Sequence, residues 1–193
     1  MQCFENIKSS EQLGELVPKI VECIKSAFDY QMPVEEIVPE IKGDHVFLTM
    51  DTEDNVSGFS ALVFGSPNEL IENCIVSAEK GCYFSAATVA KNAQRLGIYK
   101  QLNRKRLEVV MSSKSRLVFT ETQNPRVEEG IISVLKTLVE EGKIKRFVVS
   151  RIKMEQAYGR MLTAQIPIGK YTVYDKLDYK NGDAYILLFH LEY

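Results

Sequence analysis

Residues 82–100 read CYFSAATVAKNAQRLGIYK, and this stretch decides the fold prediction. The small and apolar residues from Cys82 to Val89 indicate a strand. Ile98–Ser112 then places apolar side chains at helical spacing. The turn between them contains Gly97, which lets a ligand approach the backbone closely. A strand that leads through a glycine-containing turn into a helix exposes backbone N–H groups at the positive helix end, and that geometry suits phosphate oxygens.

The basic charge of the chain is concentrated in the same region. The 193 residues have a formal net charge of −2, yet residues 1–80 contain 15 acidic and 5 basic side chains. Residues 90–116 contain 8 basic side chains and a single acid, Glu108. A basic island in an acidic protein indicates a local anionic ligand, with a solvated helix surface as the alternative. Lys91, Arg95 and Lys100 are the cations nearest to the turn.

Composition and motifs exclude several classes of protein. An apolar fraction of 45% and a charged fraction of 26% exclude a disordered or fibrous chain. We find no apolar run of the roughly 20 residues that span a membrane and no secretory signal, so we expect a cytoplasmic protein outside the membrane. Four scattered cysteines and two histidines predict neither a disulfide framework nor a metal site. Common hydrolase and nucleotide-binding motifs do not occur.

The rest of the chain predicts one α/β domain over residues 1–193, built on a mostly antiparallel sheet. His45–Thr52 and Val56–Phe64 read as a hairpin. Asn124 and Pro125 are typical of the N-cap and first position of a helix that Gly142 ends. The other predicted elements are a strand in residues 2–7, a helix with apolar positions from 13 to 28 and a kink or restart at Pro18, a short helix from Pro33, and strands in residues 116–120, 147–149 and 184–191.

The turn resembles the acyl-CoA signature of the GCN5-related N-acetyltransferase (GNAT) family, Gln/Arg-x-x-Gly-x-Gly/Ala. Gln94 and Gly97 match its first and fourth positions, and Val89 lies five residues before Gln94, where the family has the valine that ends its fourth strand. Tyr99 departs from the Gly or Ala of the final position. The predicted elements follow the family's order from residue 2 to residue 140, whereas residues 145–193 fit loosely as closing strands.

The resemblance implies a GNAT-like α/β fold with a mixed, mostly antiparallel, twisted sheet flanked by helices. It implies an enzyme that transfers an acetyl group from acetyl-CoA to an amine by direct attack, with both substrates in one cleft. Main-chain groups at Ala87 and Val89 would bond the pantetheine and polarise the thioester carbonyl. Backbone amides from Arg95 to Tyr99, together with the side chains of Lys91 and Arg95, would hold the phosphates. The cofactor-binding residues implied are Ala87, Val89, Gln94, Arg95, Leu96, Gly97, Ile98, Tyr99 and Asn124.

The catalytic residues stay unidentified at this stage. Ile131 stands seven residues after Asn124, where many family members carry a tyrosine acid. An amine must lose a proton before it attacks, and the leaving thiolate must gain one. The candidate bases and acids, each also consistent with a purely structural role, are Asp51, Glu53, Asp54, Tyr83 and Tyr158.

Two functions stay open. The first is an N-acetyltransferase that acts on a small-molecule or peptide amine. The second is a non-catalytic GNAT-fold protein that binds or senses acyl-CoA, which Ile131 and Tyr99 favour. A generic α/β domain in which Gly97 only makes a tight turn is the alternative to the family resemblance. Nucleic acid is not an expected partner, and the chain could form a homodimer.

Overall fold

The computed structural model describes residues 3–7, 10–27, 41, 43–71, 74, 76–122, 124–157, 160–162 and 184–193. The predicted short helix from Pro33 lies outside these residues. A single turn of 3-10 helix covers Lys91–Ala93 and precedes the helix that begins at Ile98. The elements are β1 (Cys3–Ile7), α1 (Ser10–Ala27), β2 (His45–Met50), β3 (Val56–Gly65), α2 (Pro67–Leu70), β4 (Gly81–Val89), α3 (Ile98–Ser112), β5 (Leu117–Thr122), α4 (Pro125–Glu140), β6 (Arg146–Ala157), β7 (Arg160–Leu162) and β8 (Ala184–Glu192).

The chain divides into two compact units. The first contains Met1–Val63 and Phe84–Val109, and the second contains Phe64–Tyr83 and Val110–Tyr193. Strand β4 and helix α3 therefore each contribute residues to both units. The prediction of one domain over the whole chain stays a prediction.

The first unit is built on strands in the order β1-β2-β3-β4. β2 pairs with β3 in antiparallel register, with Leu48 opposite Phe59 and a shift in register between Thr49 and Met50. This pairing confirms the predicted hairpin. The core of the unit joins apolar side chains of α1, β2, β3 and the start of α3, among them Ile20, Ile24, Val46, Leu48, Phe59, Ala61, Ile98 and Leu102.

The second unit has the strand order β4-β5-β8-β6-β7. β5 pairs along its whole length with β8, from Leu117 opposite His190 to Thr122 opposite Tyr185. β4 pairs with β5 in parallel at Cys82 and Tyr83. Each other strand pair with a described register is antiparallel, which confirms the predicted fold class. The core contains Ile71, Cys74, Val76, Leu117, Phe119, Ile152, Ile186 and Leu188.

One local prediction needs correction and another is narrowed. Helix α1 continues through Pro18 as one element, which excludes the restart and leaves the kink as a prediction. Strand β6 covers 12 residues instead of the predicted triplet 147–149. Its polar second half is held in the ladder because residues 146–154 pair with β8, and backbone hydrogen bonds do not depend on apolar side chains. Within the described residues, no helix combines the length and apolar character needed to cross a membrane.

Candidate functional site

The turn between β4 and α3 has an unusual backbone. Arg95 has a φ of +67° and Gly97 a φ of +76°, so both lie in the left-handed region. Leu96 between them does not share this conformation. A backbone that alternates in hand brings successive N–H groups together around a concavity that binds anions. Two left-handed residues in this short turn are compatible with such a concavity, and the anion site stays a prediction.

The N-terminus of α3 is open. Its first intrahelical hydrogen bond runs from the Gln101 N–H to the Gly97 carbonyl at 3.1 Å, so the N–H groups of Ile98, Tyr99 and Lys100 precede the helical ladder. Gly97 has no side chain with which to cap them, and the first turn contains no acidic residue. The positive end of the helix dipole is thus left to stabilise an external anion.

The turn is accessible. Gln94, Arg95, Leu96 and Gly97 are all exposed, and 62% of Leu96 is accessible to solvent. A Cβ atom built on Gly97 would have no heavy atom of the described chain within 4 Å, apart from its chain neighbours. A ligand can therefore reach the main chain at Gly97 without displacing a side chain.

A cavity of about 570 Å³ lies in the first unit next to the start of this turn. Ala90, Lys91 and Asn92 line one part of it, and α1 together with the turn between β2 and β3 lines the rest. Cys23 of α1 lines the cavity as a buried thiol, and burial raises its pKa to about 12. Burial therefore disfavours the thiolate and does not activate Cys23 as a nucleophile.

Tyr99, at the final position of the signature, is half-buried and lies on one face of α3 together with Asn103 and Arg106. Asn103 and Arg106 are buried. The Arg106 guanidinium donates from Nη2 to Asn103 Oδ1. Burial lowers the pKa of Arg106 to about 10, and the interaction with Tyr99 opposes this effect. Tyr99 therefore lies close enough to Arg106 to favour its charged form.

The other contacts of Arg106 are with strands β3 and β4. Its Nη1 lies 3.4 Å from each of the carbonyl oxygens of Ala61 and Ala86. Its guanidinium carbon lies 4.0 Å from the centre of the Phe84 ring, a cation–π contact. The sequence analysis treated Arg106 as part of a basic surface. Its spacing of seven residues from Tyr99, between the apolar Leu102 and Val110, is the signal that places it on the inner face.

Ala87 and Val89 are half-buried residues of β4. They follow the segment of β4 that pairs with β5, which ends at Tyr83. The Val89 carbonyl accepts a long hydrogen bond of 3.5 Å from Gln94 Nε2, which ties the first residue of the signature to the end of the strand. The side chain of Ile98 is buried in the core, while its N–H belongs to the open first turn of α3.

Asn124 belongs to the second unit and begins α4. Its Oδ1 accepts a hydrogen bond of 3.0 Å from the Arg126 N–H, which confirms the predicted N-cap, and Pro125 is the first helical residue. The role toward the cofactor that the resemblance implies for Asn124 stays a prediction.

Two of the candidate bases in the turn between β2 and β3, Asp51 and Asp54, have structural partners at their carboxylates. The backbone N–H of Asn55 donates to Asp51 Oδ1 at 2.9 Å, and that of Glu53 donates to the same atom at 2.8 Å. These hydrogen bonds lower the pKa of Asp51, and the one from Asn55 has the larger effect. A lowered pKa makes a carboxylate a weaker base. Asp54 forms an ion pair with Lys19, which also donates to the Asp54 carbonyl at 2.8 Å. These contacts favour a structural role for the turn.

Tyr83, the candidate acid within the described residues, also has a structural contact. The Tyr83 ring stacks on Phe119 with a centroid distance of 5.1 Å. Ile131, at the position where the family often has tyrosine, is fully buried in α4. Tyr158 lies outside the described residues. In the described ranges no three His, Cys, Asp or Glu side chains are grouped to hold a metal ion, and the expectation of a metal-free site stays a prediction.

No protein-family model matches the sequence, and a search of curated proteins finds no match. Solved structures do match. The ribosomal-protein-S18-alanine N-acetyltransferase from Escherichia coli aligns with a TM-score of 0.56 and 11% identity over 100% of this chain and 96% of that chain. Naa20 from Chaetomium thermophilum, in complex with a bisubstrate analogue, aligns with a TM-score of 0.58 and 13% identity over 98% and 86%.

A third match is a GNAT family N-acetyltransferase from Escherichia coli, YhbS, in complex with CoA. It aligns with a TM-score of 0.50 and 12% identity over 67% of this chain and 67% of that chain. Sequence identities of this size support a shared fold and nothing further. With the strand order and the β4–turn–α3 junction described above, they show that the chain has the fold of the GCN5-related N-acetyltransferases.

Proposed function

We propose that this protein is an acyl-CoA-dependent N-acetyltransferase that acts on the amine of a small molecule or peptide. The observation that carries the proposal is the open, alternating turn at residues 94–97, which begins an uncapped helix directly after β4 in a chain with the GNAT fold. Each property of the turn favours an anionic ligand.

The diphosphate of CoA is the anion that fits this turn. The N–H groups from Arg95 to Tyr99 would donate to its oxygens, and the exposed Gly97 allows close approach of the backbone. Lys91, Arg95 and Lys100 add positive charge on the same segment. The absence of an acid from the first turn of α3 keeps the local potential positive.

The thioester arm would run along β4. Ala87 and Val89 come after the last residue of β4 that pairs with β5, which supports a role for their main-chain groups in bonding the pantetheine and the thioester carbonyl. In the proposed reaction the amine nitrogen forms a bond to the carbonyl carbon as the carbon–sulfur bond breaks. The amine loses one proton and the thiolate gains one, so the reaction balances. The chain would contribute orientation and backbone donors aimed at the developing oxyanion.

A second candidate function is acyl-CoA binding without turnover. Ile131 supplies no proton donor, and the hydrogen bonds that Asp51 accepts from the turn lower its pKa and weaken it as a base. Both observations favour a sensor over an enzyme. A cytoplasmic location is proposed for either function, and Cys23, Cys74 and Cys82, which form no disulfide, are compatible with it.

The experiment measures binding and turnover on the same full-length protein. Calorimetric titration with CoA tests the site, and thiol release from acetyl-CoA is followed with a panel of polyamines, aminoglycosides and peptides with free N-termini. Saturable binding together with thiol release for at least one amine supports the transferase. Saturable binding without release for any amine supports the sensor, and the lack of CoA binding contradicts both.

A further inference from the structure

The main chain in the second half of β4 points alternately to its two sides. The N–H of Ala90, just after the strand, donates to the Ser57 carbonyl of β3 at 2.9 Å. In a strand the N–H and C=O of one residue point to the same neighbouring strand, and those of the next residue point to the opposite side. By this period of two, the main-chain groups of Ala86 also face β3, whereas those of Ala87 and Val89 face the other side of β4.

The contacts of Arg106 support this assignment at Ala86. The Arg106 Nη1 lies 3.4 Å from the Ala86 carbonyl oxygen and 3.4 Å from the Ala61 carbonyl oxygen of β3. Because one nitrogen reaches both oxygens, the Ala86 carbonyl is directed toward β3. The peptide that joins Ala86 to Ala87 is planar and trans, so its N–H points opposite to its C=O. The Ala87 N–H is therefore directed away from β3 and from Arg106.

The core alone gives no reason for an arginine at this place. Only 1% of Arg106 is exposed, and the groups that it hydrogen-bonds or stacks on are neutral: the Asn103 side chain, the two carbonyl groups and the Phe84 ring. Its Nε has no hydrogen-bond partner among the described residues. Burial of an unneutralised cation is costly, and apolar residues of similar volume avoid that cost. Burial lowers the pKa of Arg106 to about 10, which still leaves the guanidinium charged near pH 7.

We propose that Arg106 is a positioning residue for the thioester: it holds the Ala86 carbonyl and so fixes the peptide whose N–H, that of Ala87, donates to the thioester carbonyl. The inference rests on the proposed function, which runs the thioester arm along β4. A cation at the C=O end of a peptide also polarises its N–H end, because linked hydrogen bonds strengthen one another. The N–H then better stabilises the charge that develops on the thioester oxygen as the amine attacks. Arg106 acts through this peptide and does not itself touch the ligand.

The test compares acetyl-CoA with CoA in calorimetric titrations of the full-length protein, because only acetyl-CoA has the thioester carbonyl. We expect Arg106→Met to lower the ratio of acetyl-CoA affinity to CoA affinity about fivefold, the factor that corresponds to one neutral hydrogen bond. Arg104→Met is the matched control, because Arg104 also lies on α3, forms an ion pair with Glu108 at 3.6 Å and carries the same charge. The control should keep the wild-type ratio. An unchanged ratio in Arg106→Met would overturn the inference.

Infrared spectroscopy of bound acetyl-CoA, with an isotope label at the carbonyl carbon, separates positioning from general packing. A hydrogen bond lowers the stretching frequency of the carbonyl, so the wild-type protein should shift it below that of free acetyl-CoA. Arg106→Met should reverse most of this shift, and the same frequency in both proteins would contradict the inference while leaving the proposed function intact. If Arg106→Met does not fold, Arg106→Gln replaces it, because its shorter side chain does not reach the Ala86 carbonyl. If the wild-type protein binds neither acetyl-CoA nor CoA, the proposed function itself fails and the inference fails with it.

Discussion

The two long helices that follow β4 begin in opposite ways. The N-terminus of α4 is closed by its own chain, because Asn124 accepts a hydrogen bond from the Arg126 N–H and Glu128 places a carboxylate in the first turn. Glu128 also forms a largely buried ion pair with Arg151 at 2.6 Å. Helix α3 begins at Ile98, the preceding Gly97 has no side chain with which to cap it, and its first turn contains no acid.

Under the proposed function, the difference separates a structural helix end from a ligand-binding one. An N-cap contributes about 1 kcal/mol to stability, and α3 does without it. The same N–H groups and the same dipole are present at both helix ends, but at α4 the chain satisfies them and at α3 they remain available. We therefore expect changes at α4 to act on stability and changes at α3 to act on ligand binding.

The largest expected effect is that of Gly97→Asp, because it places a carboxylate against the diphosphate. We expect CoA affinity to fall at least about 100-fold, since like charges in contact cost several kcal/mol. The matched control is Gly142→Asp, because Gly142 also has a positive φ, +67°, and open space around its Cβ position. Urea unfolding should give both variants a similar loss of stability, about 1 kcal/mol. Unchanged CoA affinity in Gly97→Asp would count against the site.

A smaller effect is expected from Arg95→Gly, which keeps the left-handed backbone but removes the charge. We expect CoA to bind about tenfold more weakly, since a charge-assisted contact to phosphate is lost. Lys114→Gly is the matched control, because Lys114 is also basic, exposed and at positive φ, +55°. Calorimetry should find little change in CoA affinity for the control. Equal losses in the two variants would indicate nonspecific attraction to the basic segment.

The closed helix end is tested with Asn124→Ala and Asn124→Ser. Loss of the cap in the alanine variant should reduce the free energy of unfolding by about 1 kcal/mol, while serine, itself a good cap, should preserve it. Urea unfolding measures this difference. If Asn124 also contacts the cofactor, as the resemblance implies, both variants should bind CoA a few-fold more weakly. If Asn124→Ser binds CoA with wild-type affinity, the role of Asn124 is that of a helix cap and not of a cofactor contact.

The smallest effect is expected for Cys23, a buried residue of α1 that lines the cavity beside Ala90. Burial raises the pKa of Cys23 from 9.0 to about 12, so the folded protein holds this proton more tightly than the unfolded chain. The corresponding stability is complete below pH 9 and is lost as the pH rises toward 12. Relative to Cys23→Ala, the wild-type protein should lose about 1 kcal/mol between pH 8 and pH 10 in urea titrations. If stability falls with pH in parallel for the wild-type protein and Cys23→Ala, the result would contradict the burial of this thiol.

Local signals in the sequence predict the part of the site that local chemistry builds. Helix α3 has the predicted bounds Ile98–Ser112, and Asn124 caps α4 as its residue type suggests. The positive φ of Arg95 could not be predicted, because arginine has no preference for that conformation. The buried position of Arg106 was missed for a related reason: a basic residue among seven others in residues 90–116 reads as part of a solvated surface.

Long-range pairing explains the other differences. The second half of β6 has polar residues and no strand signal of its own, and its partner β8 lies more than 25 residues away in the sequence. Pairing of this kind depends on tertiary structure, which overrides local propensity. The proton donor and acceptor could not be identified for the same reason, since each candidate depends on which groups surround it in the folded chain.

The path of the chain has a practical consequence for dissection of the molecule. The first unit is assembled from two stretches, Met1–Val63 and Phe84–Val109, with Phe64–Tyr83 between them. A recombinant fragment that stops at residue 63 would therefore omit the turn for which we propose anion binding, and one that begins at residue 84 would lack the strands and helix on which that turn packs. Isolation of this unit requires a circular permutant or a short bridge from residue 63 to residue 84, and simple truncation is expected to yield an unfolded polypeptide.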